Sequence, residues 1–273
     1  MMQPQPHENG IIRPIKGKRD PAIGPDAVMV MVASDLNYLV LNTKARKLTF
    51  SDAGLYSLYQ PGEASLRDTA IAGPFMGAPQ AVMGMEKLIA LGAHRIWVLG
   101  WCGSLQPDLH VGDLIVPVRA VSEEGVSPHY PLTDGVPESD SKLNRLIEHA
   151  LKAQDIHFKK GVIWTTDAIY RETPHKIQVY GAQGLLGVEM EISALLTVAA
   201  FRGAALAALL VISDEIFDLK WRPGFSSSIF KERTRLAGEV MIRALQQLPK
   251  GTSAPFSTQT GGIHGPAPYE NRL

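Results

Sequence analysis

The chain has 273 residues, 45% hydrophobic and 20% charged, enough to bury a sizeable core in one large domain or at most two. Its 27 basic and 27 acidic residues cancel, which removes any global electrostatic case for nucleic acid or an anionic membrane as partner. One cysteine, Cys102, excludes an intrachain disulfide framework and fits a reducing compartment.

The opening stretch MMQPQPHENGIIRPIKGKRDP is polar and proline-rich and lacks the apolar core of a secretory signal. No run reaches the roughly 18 to 20 apolar residues of a membrane span, so the expectation is a soluble, cytoplasmic protein. Beyond an N-terminal extension (1–26), AVMVMVAS (27–34) and TAIAGP (69–74) read as strands. PQAVMGMEKLIALG (79–92) has helical spacing and a terminating glycine. RIWVLG (95–100) and DLIVPV (113–118) are strands, and SDSKLNRLIEHALKAQ (139–154) is a helix opened by a Ser or Asp cap. KKGVIWTTD (159–167) and AALAALLVISDE (204–215) read as buried strands, and SIFKERTRLAGEVMIRALQQL (228–248) as a closing helix. This alternation predicts an α/β fold: a single-domain, three-layer α/β/α sandwich over 27–249, with a mixed, largely buried central sheet. The tail 250–273 is rich in Gly, Pro, Ser and Thr and is expected to be flexible.

Ligands of such sheets bind beyond the carboxyl ends of the strands, and several ends here carry unusual residues. GPFMGAPQA (73–81), with Gly77, opens a helix whose backbone N–H groups suit an anion or a hydroxyl. LGWCGSLQP (99–107), with Gly103, reads as a second glycine turn, and SEEGVSPHY (122–130) as a polar loop with two acids and a histidine. VISDEIFD (211–218) leaves Ser213, Asp214 and Glu215 at the end of the most apolar strand. In GLLGVEMEISALL (184–196), Glu189 and Glu191 sit where an apolar strand runs into an apolar helix, and buried carboxylates need partners. The plainer readings are structural: Asp214 as a helix cap, Glu189 and Glu191 as caps or ion-pair members, His129 as a surface histidine. The eight histidines are scattered without paired ligand spacing, so no metal and no cofactor is expected.

In order, GPFMGAPQAVMGMEKLIALGA, VLGWCGSLQPDLHVGDLIVP, EEGVSPHY, GVEMEISALLTVAAFRG and VISDE resemble the nucleoside phosphorylase and nucleosidase superfamily, over about residues 27 to 248. The resemblance implies cleavage of the N-glycosidic bond of a small-molecule nucleoside, with phosphate or water as co-substrate, by a homo-oligomer (dimer or hexamer). It implies that Glu191 accepts hydrogen bonds from ribose hydroxyls, that Met190 packs on the sugar and that Glu189 lies nearby. Such bonds strengthen as the sugar becomes oxocarbenium-like. It implies that Asp214 protonates the leaving base, a role that tilts the substrate toward a purine-type base. Thr166, Asp167 and Tyr170 fall where relatives contact the base, with Ile169 in place of the usual aromatic, and Gly77, Gly103 and Ser213 complete the substrate site.

The resemblance breaks at the phosphate site. Relatives that use phosphate carry a Gly-Asp-Pro-x-Arg turn after the first strand, where this chain has Ala33 and Asn37. They add an arginine and a hydroxyl where it has Val98 and Trp101. Without those guanidinium groups the charge-assisted bonds that hold phosphate are missing, which favours hydrolysis. The glutamate that activates water in relatives is also missing near Asn37; Asp35 is the substitute, as a second catalytic residue. Alternatively Lys16, Lys18, Arg19, Lys44 or Arg46 rebuild an anion site, and His7 of a neighbouring subunit completes the sugar site. Two rival readings stand beside this one: a nucleoside-binding protein without turnover, and a hydrolase built on Cys102, His129 and Asp214.

Overall fold

The computed structural model describes residues 10–133 and 135–248. His7 and the tail 250–273 therefore lie outside the described residues. Ten strands and six α-helices alternate along the described chain. Strands β1 (Asp26–Val30), β4 (Thr69–Gly73), β5 (Arg95–Ser104) and β9 (Ala205–Glu215) pair in parallel across the centre. The short β2 (Arg46–Leu48) and β3 (Ser57–Gln60) add an antiparallel edge. On the other side lie β6 (Leu114–Glu123), β7 (Phe158–Thr166), β8 (Gly187–Glu189) and the two-residue β10 (Arg222–Pro223).

The sheet order is β10-β9-β6-β7-β8-β5-β1-β4-β3-β2, and β5 also pairs with β9. Strands β9, β6, β7, β8 and β5 therefore close into a ring, so the mixed central sheet curls on itself at one side. Alternation along β1, β5 and β9 feeds two cores. Ala27, Met29, Ile96, Val98, Leu206, Ala208, Leu210 and Ile212 face helices α2 (Ala78–Leu91) and α5 (Ile192–Arg202). Val28, Val30, Trp97, Leu99, Leu209 and Val211 face the layer of α1 (Ala33–Asn42), α3 (Ser141–Lys152) and α6 (Ser228–Gln246). Helix α4 (Pro174–Ala182) packs with Ile177 over a smaller cluster around Trp164.

Two expectations need correction. The glycine turn at 99–107 is not a turn: β5 continues through Gly100, Trp101, Cys102 and Gly103 to Ser104, pairing with β9 across an irregularity between Cys102 and Gly103. Glycine suits that stretch because a Cβ at Gly103 would lie 3.2 Å from an Asp214 oxygen. The strand expected over 27–34 stops at Val30, and residues 33–42 are helical instead.

The amino-terminal end of the sheet is pinned by matched charges. Asp26 accepts two bonds from the Arg95 guanidinium, at 2.7 and 2.5 Å, and one from the Trp97 indole at 3.0 Å. Asp20 accepts from Lys87 Nζ at 2.6 Å, from the Gly17 and Ser51 N–H groups and from the Ser51 hydroxyl. Burial opposes ionisation of Asp20, but these donors outweigh it and bring its carboxyl down to about 2. Arg202 likewise grips Glu86 with two bonds, at 2.9 and 2.7 Å.

Candidate active site

At the opposite end, β5 finishes between β8 and β9: Gly103 is paired with Val188 on one side and Asp214 on the other. The residues singled out in 184–196 and 211–218 thus flank a single strand end. Glu189 is buried and accepts from the Glu191 and Ile192 N–H groups at 2.6 and 2.8 Å, and from the Thr165 hydroxyl. Thr165 Oγ1 in turn accepts from Ser193 N–H at 2.9 Å. Helix α5 has no side-chain cap at Glu191 itself, so Glu189 and Thr165 satisfy its first amides from β8 and β7. Glu189 is the helix cap, and the neighbour two residues on is released for other work.

Glu191 is equally buried, and Oε1 accepts from Gly77 N–H at 2.6 Å. Gly77 stands at φ +78°, a left-handed conformation that favours glycine, immediately before α2. This bond ties the start of α2 to the start of α5. Burial lifts both glutamates above the ordinary carboxylate range, and the charge of Glu191 adds to the shift of Glu189. The Gly77 and Met190 amides offset only part of the rise at Glu191. The pair favours keeping one proton between them. Met190 lies between them, half-buried.

Asp214 is not a helix cap. Its Oδ1 is 2.6 Å from Ser213 Oγ, and Oδ2 accepts from the Trp221 indole at 3.0 Å. Ser213 Oγ also lies 3.2 Å from Cys102 O, and its one hydrogen cannot serve both acceptors. A further carboxyl, Glu172, stands within electrostatic reach of Asp214; burial first, and the Asp214 charge second, push it up to about 7. Nothing in YRETP marks Glu172 in the sequence, because its position depends on the turn that follows β7. Glu215 is half-buried and accepts from Val111 N–H at 3.1 Å, fixing the end of β9 to the loop between β5 and β6.

Asp35 and Trp101 are brought together on the α6 side of the sheet: the indole N–H donates to Asp35 Oδ2 at 2.7 Å, and Ser34 Oγ donates to Oδ1 at 3.2 Å. Burial raises the Asp35 carboxyl despite both donors. Trp101 is edge-on to Phe230 and 6.0 Å from the Phe225 ring, and Phe225 is 6.4 Å from Trp221. Val98 faces the other way, into the α2 core.

The residues after β7 only partly converge. Thr166 is buried and accepts from Ala168 N–H at 3.2 Å, and Asp167 is exposed and accepts from Gly125 N–H at 2.8 Å. Tyr170 is 96% exposed, so this chain does not stack it in the site; the short turn at Ile169–Arg171 points it outward. Lys16, Lys18, Arg19, Lys44 and Arg46 are all exposed, and none is drawn to the strand ends. Cys102 is buried, and burial with the charges of Asp214 and Glu189 pushes its thiol up, the reverse of what a thiolate nucleophile needs. His129 is exposed in a short turn after β6. The Cys-His-Asp reading therefore fails on geometry and on electrostatics.

Glu124, in the sequence only one of two loop acids after β6, is a hub in the structure. Burial pushes its carboxyl up, but the Ser127 and Ser122 hydroxyls and the Ser127 and Val126 amides outweigh that and hold it down; Ser193 Oγ donates to it as well, at 3.1 Å. It locks that loop to α5. Beside it opens a hollow of about 410 Å³ floored by Ser122, Ser127, Ser193 and Thr197, into which neither Glu191 nor Asp214 projects. The convergence of carboxyls and strand ends, not this hollow, marks the candidate site. Among the described residues no group of His, Cys, Asp and Glu could hold a metal ion, and no helix is long and apolar enough to cross a membrane.

Known proteins share this fold. The Phosphorylase superfamily profile matches residues 42–248, and the chain belongs to that family. DeoD-type purine nucleoside phosphorylases of Bacillus cytotoxicus and Bacillus thuringiensis are each 31% identical over 150 residues, which is 54% of this chain and 64% of theirs. The chain thus aligns with somewhat less than two thirds of the length of those enzymes. The crystal structure of uridine phosphorylase from Vibrio fischeri superposes with a TM-score of 0.72 at 24% identity, covering 82% of this chain and 92% of that one. Purine nucleoside phosphorylase from Toxoplasma gondii, in complex with immucillin-H, gives 0.75 at 19% identity, covering 88% and 97%. These two likenesses establish the fold. The profile begins past β1 and most of α1, the segment in which the phosphate turn is missing.

Proposed function

We propose that this protein cleaves the N-glycosidic bond of a purine-type nucleoside or nucleoside-like metabolite, with water rather than phosphate as the preferred acceptor. The DeoD-type relatives and the shared fold support the reaction class. The observation that carries the choice of acceptor is the Trp101–Asp35 hydrogen bond. On the sequence resemblance, this indole and carboxyl stand where a phosphate-using relative needs open volume and cationic donors, which supports the hydrolytic reading. A buried acid there repels a phosphate and suits a water molecule that must lose a proton.

In this reading Glu191 Oε2 accepts sugar hydroxyls while Gly77 holds Oε1 in place. Met190 lies against the sugar, and Thr166 and Asp167 border the base. As the C1′–N bond breaks, Asp214 gives a proton to the base nitrogen. Water forms the new C1′–O bond and passes its proton to Asp35, so a neutral base and a free sugar leave. Assembly into a homo-oligomer belongs to the same proposal. The test is a panel of purine and pyrimidine nucleosides, including 5′-modified ones, run with and without phosphate and read by chromatography of released base. Release without phosphate is expected from at least one purine nucleoside. Release that requires phosphate would overturn the hydrolytic reading, and a silent panel would overturn glycosidic cleavage itself.

A further inference from the structure

The loop between β9 and α6 contributes one side chain that the reaction scheme above does not use. Trp221 is 66% exposed, yet its indole N–H reaches back to Asp214 Oδ2 at 3.0 Å. The other Asp214 oxygen is engaged by Ser213, so Oδ2, which also lies against the Gly103 backbone, is the oxygen that Trp221 holds. A base arriving at the strand ends meets that oxygen already engaged. The engagement also has the wrong polarity for catalysis: an indole N–H only donates, so it holds Oδ2 as an acceptor, whereas a group that protonates a base must present O–H.

We propose that Trp221 is a gate on Asp214, its indole bound to Oδ2 until the incoming purine base displaces it. The proposal rests on the reading of Asp214 as the proton donor. The backbone is built for such a movement. Arg222 and Pro223, directly after Trp221, are paired with Glu215 and Asp214 in β10, and Arg222 is further held by Asp218. The loop is therefore anchored on both sides of Trp221, so displacing the indole calls only for rotation about its own side-chain bonds. Phe225, 6.4 Å from the Trp221 ring and 6.0 Å from that of Trp101, offers an apolar face to turn against. Trp97 and Trp164 are fully buried, so an emission change on ligand binding reports on the two rim indoles.

The experiment titrates adenine and hypoxanthine into the wild type, Trp221→Phe, Asp214→Asn and the double variant, followed by tryptophan fluorescence and calorimetry. Trp221→Phe keeps an aromatic ring and removes the donor. A hydrogen bond has to be broken in the wild type but not in this variant, so base should bind up to about tenfold more tightly. The emission change should shrink with Trp221 to the share of Trp101, and the gain should be smaller when Asn, a weaker acceptor than a carboxyl, stands at 214. For a nucleoside that the wild type cleaves, KM should fall by a similar factor with kcat within about threefold. Unchanged or weaker base binding by Trp221→Phe overturns the gate. So does a collapse of kcat at constant KM, which would make Trp221 a positioning residue for proton transfer. A wild type that neither binds the bases nor releases base from any nucleoside overturns the underlying reading instead. If Trp221→Phe fails to fold, a wild-type emission spectrum that stays unchanged while calorimetry registers base binding still overturns the proposal.

Discussion

The two ends of the sheet treat buried carboxylates in opposite ways. At the amino-terminal end each has a cation: Asp20 with Lys87, Asp26 with Arg95, Glu86 with Arg202. At the carboxyl end Asp35, Glu189 and Glu191 are buried with N–H and O–H donors only. The first arrangement neutralises charge and holds the fold. The second leaves carboxyls raised above their ordinary range with no cation beside them, a state that costs stability. The contrast separates the part of the molecule that secures the chain from the part that does chemistry.

The sharpest test sets one end against the other. Asp214→Asn should lower base release by about 10²–10⁴-fold, the range for a positioned general acid, with little change in urea midpoint. Glu191→Gln should do comparable damage to release while leaving stability equal or higher, since an amide carries no buried charge. Asp26→Ala should do the reverse in kind: it strands Arg95 in the interior and should cost about 3–5 kcal/mol by urea unfolding. If both ends responded alike in stability, the contrast would be wrong.

Acidity offers a smaller effect with a definite sign. Glu172 and Glu191, each raised to about 7, bind protons more tightly folded than unfolded. They lose stabilising protons as pH climbs from about 4.5 to 7, so Tm should fall over that interval. Each kcal/mol lost corresponds to roughly 2–4 °C for a chain of this size. Asp20, lowered to about 2, acts oppositely: its contribution is full above the ordinary Asp value and disappears as pH drops toward 2. Calorimetric scans from about pH 3 to 8 should show a maximum on the acid side of neutrality, flattened above it by Glu191→Gln. A Tm that rises between about pH 5 and 7 would contradict the raised Glu172 and Glu191. The smallest expected change is in Glu172→Gln, which removes the charge beside Asp214. It should shift the pH profile of base release without altering urea stability by more than about 1 kcal/mol.

Much of this was legible in the sequence. The core strands and the helices 78–91, 141–152 and 228–246 follow from apolar period and glycine or Asp stops, and the placing of Glu191 and Asp214 at strand ends follows from where apolar runs cease. Helix α1 was hidden because Val32, its N-terminal neighbour, makes no side-chain cap bond, so ASDLNYLVLN looks like a departed phosphate turn. The continuation of β5 was hidden because glycines usually stop strands, whereas here Gly103 admits a neighbouring carboxyl and Gly100 the Met31 side chain. Glu172, Trp221 and the Trp101–Asp35 bond depend on how separate elements come together, and single-sequence periodicity carries no trace of such contacts.

The closed ring of strands has a consequence for how such a protein changes over time. Val188, the neighbour of Glu189, and Asp214 pair with Gly103 from its two sides, so the spacing of the two carboxyls is dictated by backbone ladders rather than by surface side chains. The rim, by contrast, is made of connecting segments: the turn carrying Ile169 to Glu172 and the loop carrying Trp221 and Phe225. A lineage can exchange those segments one residue at a time and acquire a new preference for leaving group or acceptor. The proton-handling floor beneath would be inherited unchanged.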